Sequence, residues 1–208
     1  DESCLIISRS WSFGQTKSDD LILNTSPFEI RYDENRPFFT EGTDLFNKAG
    51  LFYSRRIGQV PDFETSEGDE ITNLPSAIPI INATKISGRN KNNLGIGVFN
   101  AVTNKTYISL ENENSIREEL LQPLTNYNLI VIDQTFNQNS SLTFTNTNVK
   151  RFNKYYRNAN VSSILLSLTE KKNIYNLASK INFSQINLNE SNELGFLSFI
   201  KAETKNEE

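Results

Sequence analysis

The 208-residue sequence contains no His and no Met, and its one Cys is Cys4. Without His, the chain cannot build a Ser-His-Asp or Cys-His catalytic group, or a zinc site of the HExxH type. A single Cys cannot form an internal disulfide or a cysteine cluster for a metal. We therefore expect no metal and no cofactor. No apolar run approaches the roughly 20 residues of a membrane-spanning helix.

Basic residues do not outnumber acidic ones: there are 21 Lys and Arg against 25 Asp and Glu, for a formal net charge of −4. Nucleic-acid-binding proteins normally present a basic surface, so we expect no nucleic acid partner. Apolar residues make up only 37% of the chain, but aromatic residues reach 11%, which argues against disorder. About one residue in seven is Asn. This composition suits sheets with one apolar and one polar face.

The chain divides into two segments by pattern. Residues 1–79 are irregular, with clustered charge and most of the Pro, and predict one or more initial strands and a long charged loop. Residues 80–208 alternate β-rich runs with Asn-rich breaks, which predicts antiparallel hairpins. Residues 115–121 have the pattern of one short helix, with a capping box at the start and Pro123 after the end.

Alternation of side chains is the main structural signal of residues 80–208. In one run, Ile96 and Val98 alternate with Gly95 and Gly97, and we interpret these glycines as clearing space inside a curved sheet. Segments of about ten alternating residues, separated by short polar turns, are typical of transmembrane β-barrels. The same pattern describes soluble β-sandwiches, so alternation alone leaves both folds open.

The densest cluster of charged and aromatic residues lies between residues 28 and 58. Its charges predict an ion-pair network that fixes a loop or lines an aqueous lumen, because charges removed from bulk water need partners. The candidate residues are Arg31, Asp33, Glu34, Arg36, Glu41, Asp44, Arg55 and Arg56. The candidate aromatic anchors of the same loop are Phe38, Phe39, Phe52 and Tyr53. A pair of these carboxylates would also suit a glycoside hydrolase, which we rank below the structural network.

Several blocks of the sequence resemble a family of Gram-negative envelope proteins of unknown function. The blocks are Phe13-Gly14-Gln15, 34–42 (Glu-Asn-Arg-Pro-Phe-Phe-Thr-Glu-Gly), 51–58 (Leu-Phe-Tyr-Ser-Arg-Arg-Ile-Gly), 83–89, 94–103 and 123–128. Members of that family typically have a domain like family-nine carbohydrate-binding modules, followed by a long region that resembles an outer-membrane β-barrel. The resemblance spans residues 10–185 and implies location and architecture, with no reaction and no catalytic residue to carry over.

Together, the alternation and the resemblance predict an all-β, antiparallel transmembrane β-barrel with a charged inward or capping loop. We expect the chain to be a fragment of a larger barrel, because the carbohydrate-binding-like domain, a terminal aromatic strand and a starting Met are missing. Ile96 and Val98 would then face lipid and Lys180 and Asn182 the lumen, because Lys on the lipid face near the midplane costs about 2–4 kcal/mol.

The predicted function is that of a non-enzymatic protein in the outer membrane of a Gram-negative bacterium, with a structural, transport or assembly role. Its predicted partners are outer-membrane lipid and, beyond lipid, other envelope proteins or glycans. Two alternatives stay open. One is a carbohydrate-binding β-sandwich, in which Trp11 would stack on a sugar. The other is the hydrolase that would use the carboxylates near Asp33.

Overall fold

The computed structural model describes residues 33–40, 42–112, 115–137, 139–188 and 191–204, and the backbone of residues 2–8. The strands are β1 (Glu2–Ser8), β2 (Glu70–Asn73), β3 (Ile80–Arg89), β4 (Leu94–Thr103), β5 (Thr106–Asn112), β6 (Ser115–Gln122), β7 (Thr125–Phe136), β8 (Ser140–Arg151), β9 (Asn158–Thr169), β10 (Tyr175–Leu188) and β11 (Ser191–Thr204). Before β2 lie two short helices, α1 (Pro37–Thr40) and α2 (Asp44–Asn47), and a 3-10 turn (Ser54–Arg56). Within the described residues, no helix has the length and apolar character needed to span a membrane.

The main sheet has eight strands in the order β1-β3-β4-β7-β8-β9-β10-β11, and all neighbours are antiparallel. From β7 to β11, each strand pairs with the next one along the chain. β1 comes from residues 1–79, and residues 80–208 supply the other strands. The predicted all-β antiparallel fold is confirmed. β1 and β11 are the edges of this sheet, and no closed barrel is found among the described strands.

A second sheet of three strands, in the order β2-β5-β6, continues the hairpin formed by β4 and β7. The chain leaves β4 at Asn104 and enters β7 after Pro123, which has no N–H to donate to a continuous ladder. The predicted helix at residues 115–121 is wrong, because this segment lies in β6 and pairs with β5. The small sheet has its own buried core, formed by Ile78, Ile108, Leu110 and Leu121.

Asn residues make the turns at one end of the main sheet. Asn93 between β3 and β4, Asn137 between β7 and β8, and Asn173 between β9 and β10 have φ angles of 59°, 45° and 58°. Asn adopts this left-handed conformation more readily than most other residues with a side chain. The Asn-rich breaks of the sequence are therefore, at these three places, the turns of hairpins.

The main sheet has one covered face and one open face. On its inner face, Phe99 and Leu129 are buried at the centre of β4 and β7. On its outer face, Ile96 and Ile132 of the same two strands are 49% and 44% exposed. Residues 33–58, here called the inner loop, supply the side chains that pack on the inner face. The inner loop therefore covers the inner face at β4 and β7.

Candidate functional site

A cluster of aromatic rings holds the inner loop on the sheet. Phe39 and Phe46 are buried, at 3% and 1% exposure, and both pack on Phe99 of β4. Phe38 and Phe52 complete the cluster, with ring centroids 6.3 and 5.1 Å from that of Phe99. Burying aromatic side chains is a large favourable term in folding, so this cluster anchors the loop.

Two glycines of β4 let the loop approach the sheet closely. A Cβ placed on Gly97 would lie 2.8 Å from Cε1 of Phe46, and one placed on Gly95 would lie 2.9 Å from Cδ2 of Leu45. Close-packed protein interiors do not tolerate contacts this short. The part of the interpretation that these glycines clear space is confirmed, and side chains of the inner loop fill that space.

An ion pair inside the loop holds its shape. Arg36 is 9% exposed, and its Nη2 donates to Oε2 of Glu34 at 2.7 Å and to the carbonyl oxygen of Ser54 at 2.9 Å. Its Nη1 donates to the carbonyl oxygen of Ile57 at 2.8 Å. Burial raises the pKa of Glu34, but hydrogen bonds from Arg36 and Ser54 outweigh burial and leave that pKa below its usual value. A carboxylate kept ionised in this way is poorly suited to act as a general acid.

A second ion-pair group joins the loop to the sheet. The side chain of Asp133 on β7 is fully buried, and its Oδ1 accepts hydrogen bonds from Nζ of Lys48 and Oγ1 of Thr143, each at 2.7 Å. Arg89 of β3 pairs with the other carboxylate oxygen. One carboxylate therefore connects the loop with three strands. Loss of this carboxylate would leave two cations facing each other without a counter-charge.

Lysines from two distant strands also reach the inner loop. Nζ of Lys85 on β3 donates to the carbonyl oxygen of Phe38 at 2.6 Å, and Nζ of Lys180 on β10 donates to that of Ala49 at 2.5 Å. Four strands lie between β3 and β10 in the sheet. At about 4.8 Å per strand, a flat sheet would hold them roughly 24 Å apart. The inner loop therefore contacts strands that lie far apart in the sheet, and it extends across the inner face from β3 to β10.

The fold brings together part of the predicted ion-pair network. Glu34 and Arg36 form its centre, and Nη1 of Arg55 donates to the carbonyl oxygen of Asp33 at 2.6 Å. Asp44 is exposed at the start of α2. No group of three or more carboxylate or thiol side chains in the described ranges is arranged to hold a metal ion.

The predicted aromatic anchors divide into two kinds. Phe38, Phe39 and Phe52 belong to the ring cluster on β4. Tyr53 is half-buried next to the 3-10 turn, and the guanidinium of Arg56 lies 5.7 Å from its ring centre. Three other residues singled out from the sequence lie outside the described part of the chain: Arg31, Glu41 and Trp11.

Sequence reasoning missed four residues that fasten the loop to the sheet: Phe46, Lys48, Lys85 and Asp133. Asp133 alone gave a usable signal, because it is the only charged residue in its β-rich run and alternates with Ile132. A charge on the inward face of a predicted strand calls for a partner. That partner could not be identified, because Lys48 is 85 residues away in sequence.

The outer face carries two parallel rows of side chains in register across five strands. The first, here called the apolar row, is 38–49% exposed and consists of Ile96, Ile132, Phe144, Ile164 and Ile181. The second, here called the amide row, lies four residues further along each strand and consists of Asn100, Asn128, Asn148, Asn160 and Gln185. Nδ2 of Asn100 donates to Oδ1 of Asn128 at 2.8 Å, so side-chain hydrogen bonds link neighbours in the amide row.

The inner face changes character along the sheet. On β4 and β7 it is apolar beneath the aromatic cluster. On β8, β9 and β10, many inward positions carry a hydroxyl, amide or ammonium group: Thr143, Thr145, Thr147, Ser163, Ser167, Lys180, Asn182 and Ser184. These three strands are therefore mostly polar inside, and outside they are apolar along the apolar row and polar along the amide row.

These features define a class of protein: an all-β, antiparallel sheet protein with an exposed apolar outer face and a folded loop held on its inner face. A family model described as a domain of unknown function, DUF5916, matches residues 11–208. The chain belongs to this family. No curated protein and no solved structure gives a significant match to the chain.

Proposed function

We propose that this chain forms part of the wall of a non-enzymatic outer-membrane β-barrel in a Gram-negative envelope, with the inner loop as its plug. One observation carries the proposal: β8, β9 and β10 expose apolar side chains outward and place hydroxyl and amide groups inward. A soluble antiparallel sheet with one open face normally exposes its polar side instead. Lipid outside the wall and water inside it would account for both faces.

The amide row supports this proposal, because it marks a straight boundary across five strands between apolar and polar parts of the outer face. Four residues of a strand cover about 13 Å, so apolar and amide rows lie at two different depths along the strands. In an outer membrane, the apolar row would contact acyl chains and the amide row the polar boundary region. The blocks that resemble Gram-negative envelope proteins support the same location. Outer-membrane lipid is then the principal partner, with other envelope proteins or glycans as further ones.

The inner loop suits the role of a plug because it is fixed to the wall by several kinds of contact. The aromatic cluster packs the inner loop against β4, and Asp133 of β7 binds Lys48 of the loop. Lys180 attaches it to β10, which has four strands between it and β3 in the sheet order. A folded segment held inside a wall would restrict the passage of solutes, which is consistent with a role in transport or assembly.

No specific observation supports either alternative function, the carbohydrate-binding β-sandwich or the glycoside hydrolase. A β-sandwich needs a second sheet over the apolar face. Here the apolar row stays exposed in the described structure, and the three-stranded sheet instead continues the β4–β7 hairpin. A hydrolase needs a carboxyl group that holds a proton, whereas Arg36 and Ser54 lower the pKa of Glu34 despite its burial.

A pair of substitutions on one strand tests the proposal. Ile132 of the apolar row and Asn128 of the amide row lie on the same face of β7. In the full-length protein inserted into phospholipid vesicles, we expect Ile132→Lys to lower the free energy of unfolding by about 2–4 kcal/mol and Asn128→Lys to lower it by about 0–1 kcal/mol. Urea titration of the vesicle-bound protein measures both values.

The proposal fails if the full chain is folded and monodisperse in buffer without detergent or lipid. It also fails if Ile132→Lys changes stability there by no more than about 0.5 kcal/mol, which is the usual result at an exposed site in water.

A further inference from the structure

Positive charge is concentrated at one end of the main sheet. Residues 150–157, here called the basic turn, run from the end of β8 to the residue before β9. They include four cations and no acidic residue, although the whole chain has a formal net charge of −4: Lys150, Arg151, Lys154 and Arg157. Lys150, Lys154 and Arg157 are exposed, and within the described ranges none of these three forms an ion pair. A local charge opposite in sign to that of the whole chain favours an anionic partner.

Two exposed aromatic rings lie among these cations. Phe152 and Tyr155 are 59% and 69% exposed, and Nζ of Lys154 lies 4.9 Å from the ring centre of Tyr155. Aromatic side chains are enriched at the level of lipid headgroups, where basic side chains are attracted to anionic lipids. Rings and cations side by side are therefore typical of a protein surface at the boundary of a membrane.

Hydrogen bonds hold the basic turn in a defined shape. The backbone N–H of Arg151 donates to Oδ1 of Asn158 at 2.6 Å, and that of Tyr156 donates to the carbonyl oxygen of Asn153 at 3.2 Å. The hydroxyl of Tyr156 donates to the carbonyl oxygen of Leu120 on β6 at 2.7 Å. The turn is thus fixed both to itself and to the small sheet, so its exposed groups are held ready for a ligand.

One carboxylate of the small sheet adjoins the basic turn. Glu119 of β6 precedes Leu120, the residue that accepts the hydrogen bond from Tyr156. Oε1 of Glu119 accepts a hydrogen bond from Nε of Arg117 at 3.0 Å. Because Glu119 already has this cationic partner, it leaves the cations of the basic turn available to an external anion.

The basic turn continues the change of polarity along the outer face. Phe144 of the apolar row, Asn148 of the amide row and Lys150 lie on the same face of β8. Lys150 is two residues beyond the amide row, a distance of about 7 Å along the strand. Along this one strand, the outer face therefore passes from apolar to amide to cationic side chains.

We propose that the basic turn binds the phosphate groups of anionic lipid headgroups. Lys150, Lys154 and Arg157 pair with phosphate oxygens, because hydrogen bonds between ionised partners are the strong ones. Phe152 and Tyr155 lie between the headgroups and the acyl chains. This inference rests on the proposed function, since the membrane wall brings the turn to headgroup depth, and it adds a ligand class and a binding site to that function.

Quenching of fluorescence by brominated lipid measures this binding. In a Trp11→Phe background, Tyr155→Trp places a single tryptophan in the basic turn. The full-length protein in micelles of an uncharged detergent is titrated with phosphatidylglycerol or with phosphatidylcholine, each brominated on its acyl chains. We expect the anionic lipid to quench at the lower concentration. Added sodium chloride should reduce this preference, because salt screens exposed charges.

Two double variants locate the site. Lys150→Ala with Arg157→Ala removes two cations of the basic turn, whereas Lys171→Ala with Lys172→Ala removes two exposed cations from the β9–β10 turn at the opposite end of the sheet. We expect the first pair to lower the preference for phosphatidylglycerol roughly thirtyfold, about fivefold for each cation, and the control pair to change it by less than about twofold. No preference before substitution, or an equal loss in both double variants, would overturn the proposal.

The headgroup site and the membrane wall fail in different ways. A protein that is folded in buffer without lipid, but is quenched by phosphatidylglycerol vesicles only when Lys150 and Arg157 are present, would disprove the wall and keep the site. A protein that inserts into vesicles and shows no preference for the anionic lipid would keep the wall and disprove the site.

Discussion

At the scale of single residues, Asp133 is the polar group that joins the inner loop to three strands of the main sheet. Its carboxylate is fully buried and is shared by Lys48, Arg89 and Thr143, which belong to the loop, β3 and β8. A buried charge is tolerated only with such partners, because the cost of removing it from water is several kcal/mol. The side chain fixes where the loop sits and adds little net stability.

Replacement of this carboxylate should therefore lower the stability of the fold. We expect Asp133→Asn to lower the free energy of unfolding by about 3 kcal/mol, the lower end of the range for breaking a buried pair, because Lys48 and Arg89 keep about a third of their side-chain surface exposed. The matched control is Glu203→Gln, whose partner Lys201 is exposed, with an expected change within about 0.5 kcal/mol. Urea unfolding measures both. A fully stable Asp133→Asn variant would show that the loop is held without this group.

Glu34 makes the loop sensitive to acid. Burial raises its pKa, but the hydrogen bonds from Arg36 and Ser54 bring that pKa below the ordinary value of 4.5. A carboxyl group with a lowered folded-state pKa stabilises the fold above its ordinary pKa, and this contribution is lost as pH falls through the lowered value.

The stability of the wild-type chain should therefore exceed that of Glu34→Gln by a constant amount above about pH 6, and this difference should shrink as pH falls below about 4.5. Proteolysis of the inner loop as a function of pH measures the difference, with Ser54→Ala expected to give an intermediate result. A difference that grows in acid would contradict the assigned direction of the pKa shift.

The residue scale also shows what sequence could not provide. The block around Arg36 was identifiable because Glu34, Arg36 and the Phe residues are close together in the chain. Asp133 and Lys48 were not paired, because their contact joins residues 85 positions apart and no local pattern encodes it. Phe46 was overlooked for the same reason, because its ring packs on Phe99 and Gly97 of β4, which are about 50 residues away.

At the scale of elements, β4 and the inner loop fit each other through Gly97. The added methyl group of Gly97→Ala would overlap the Phe46 ring, which is buried and cannot move freely. Overpacking of this kind costs about 1–3 kcal/mol. We expect Gly97→Ala to lower stability by this amount and to increase cleavage of the inner loop by protease.

A second substitution distinguishes overlap from a general effect on the strand. The double variant Gly97→Ala with Phe46→Leu removes part of the obstructing ring, and the two changes should be less than additive. Full additivity in urea unfolding would indicate that Gly97 and Phe46 do not interact.

The strand β6 explains why one element was assigned wrongly from sequence. Residues 115–121 contain good helix formers and a capping pattern, and both signals are local. The same segment pairs with β5 along its length, and Arg117 of β6 binds Asp69 with Nη1 and Nη2 at 2.9 and 2.5 Å. Tertiary pairing therefore outweighed helix propensity, which is a weak preference per residue.

At the scale of the whole molecule, alternation predicted strands, antiparallel order and two unlike faces. It could do so because successive side chains of a β-strand point to opposite faces of the sheet. Alternation could not predict whether the sheet closes into a barrel. It assigns each side chain to one face of a strand and does not specify which strand pairs with an edge strand. β1 pairs only with β3 and β11 only with β10, so the described sheet has two free edges.

The order of the strands has a consequence for the kinetics of folding. From β7 to β11, each strand pairs with the strand that precedes it in the chain. The conformational entropy lost in bringing two such neighbours together is small. The bond from Lys180 to Ala49 instead joins residues 131 positions apart, and it cannot form before β10 is in place. The rings of the inner loop pack on Phe99 of β4, so they can dock before β10 has formed. We therefore expect the loop to dock on β4 and β7 first and to become attached to β10 last.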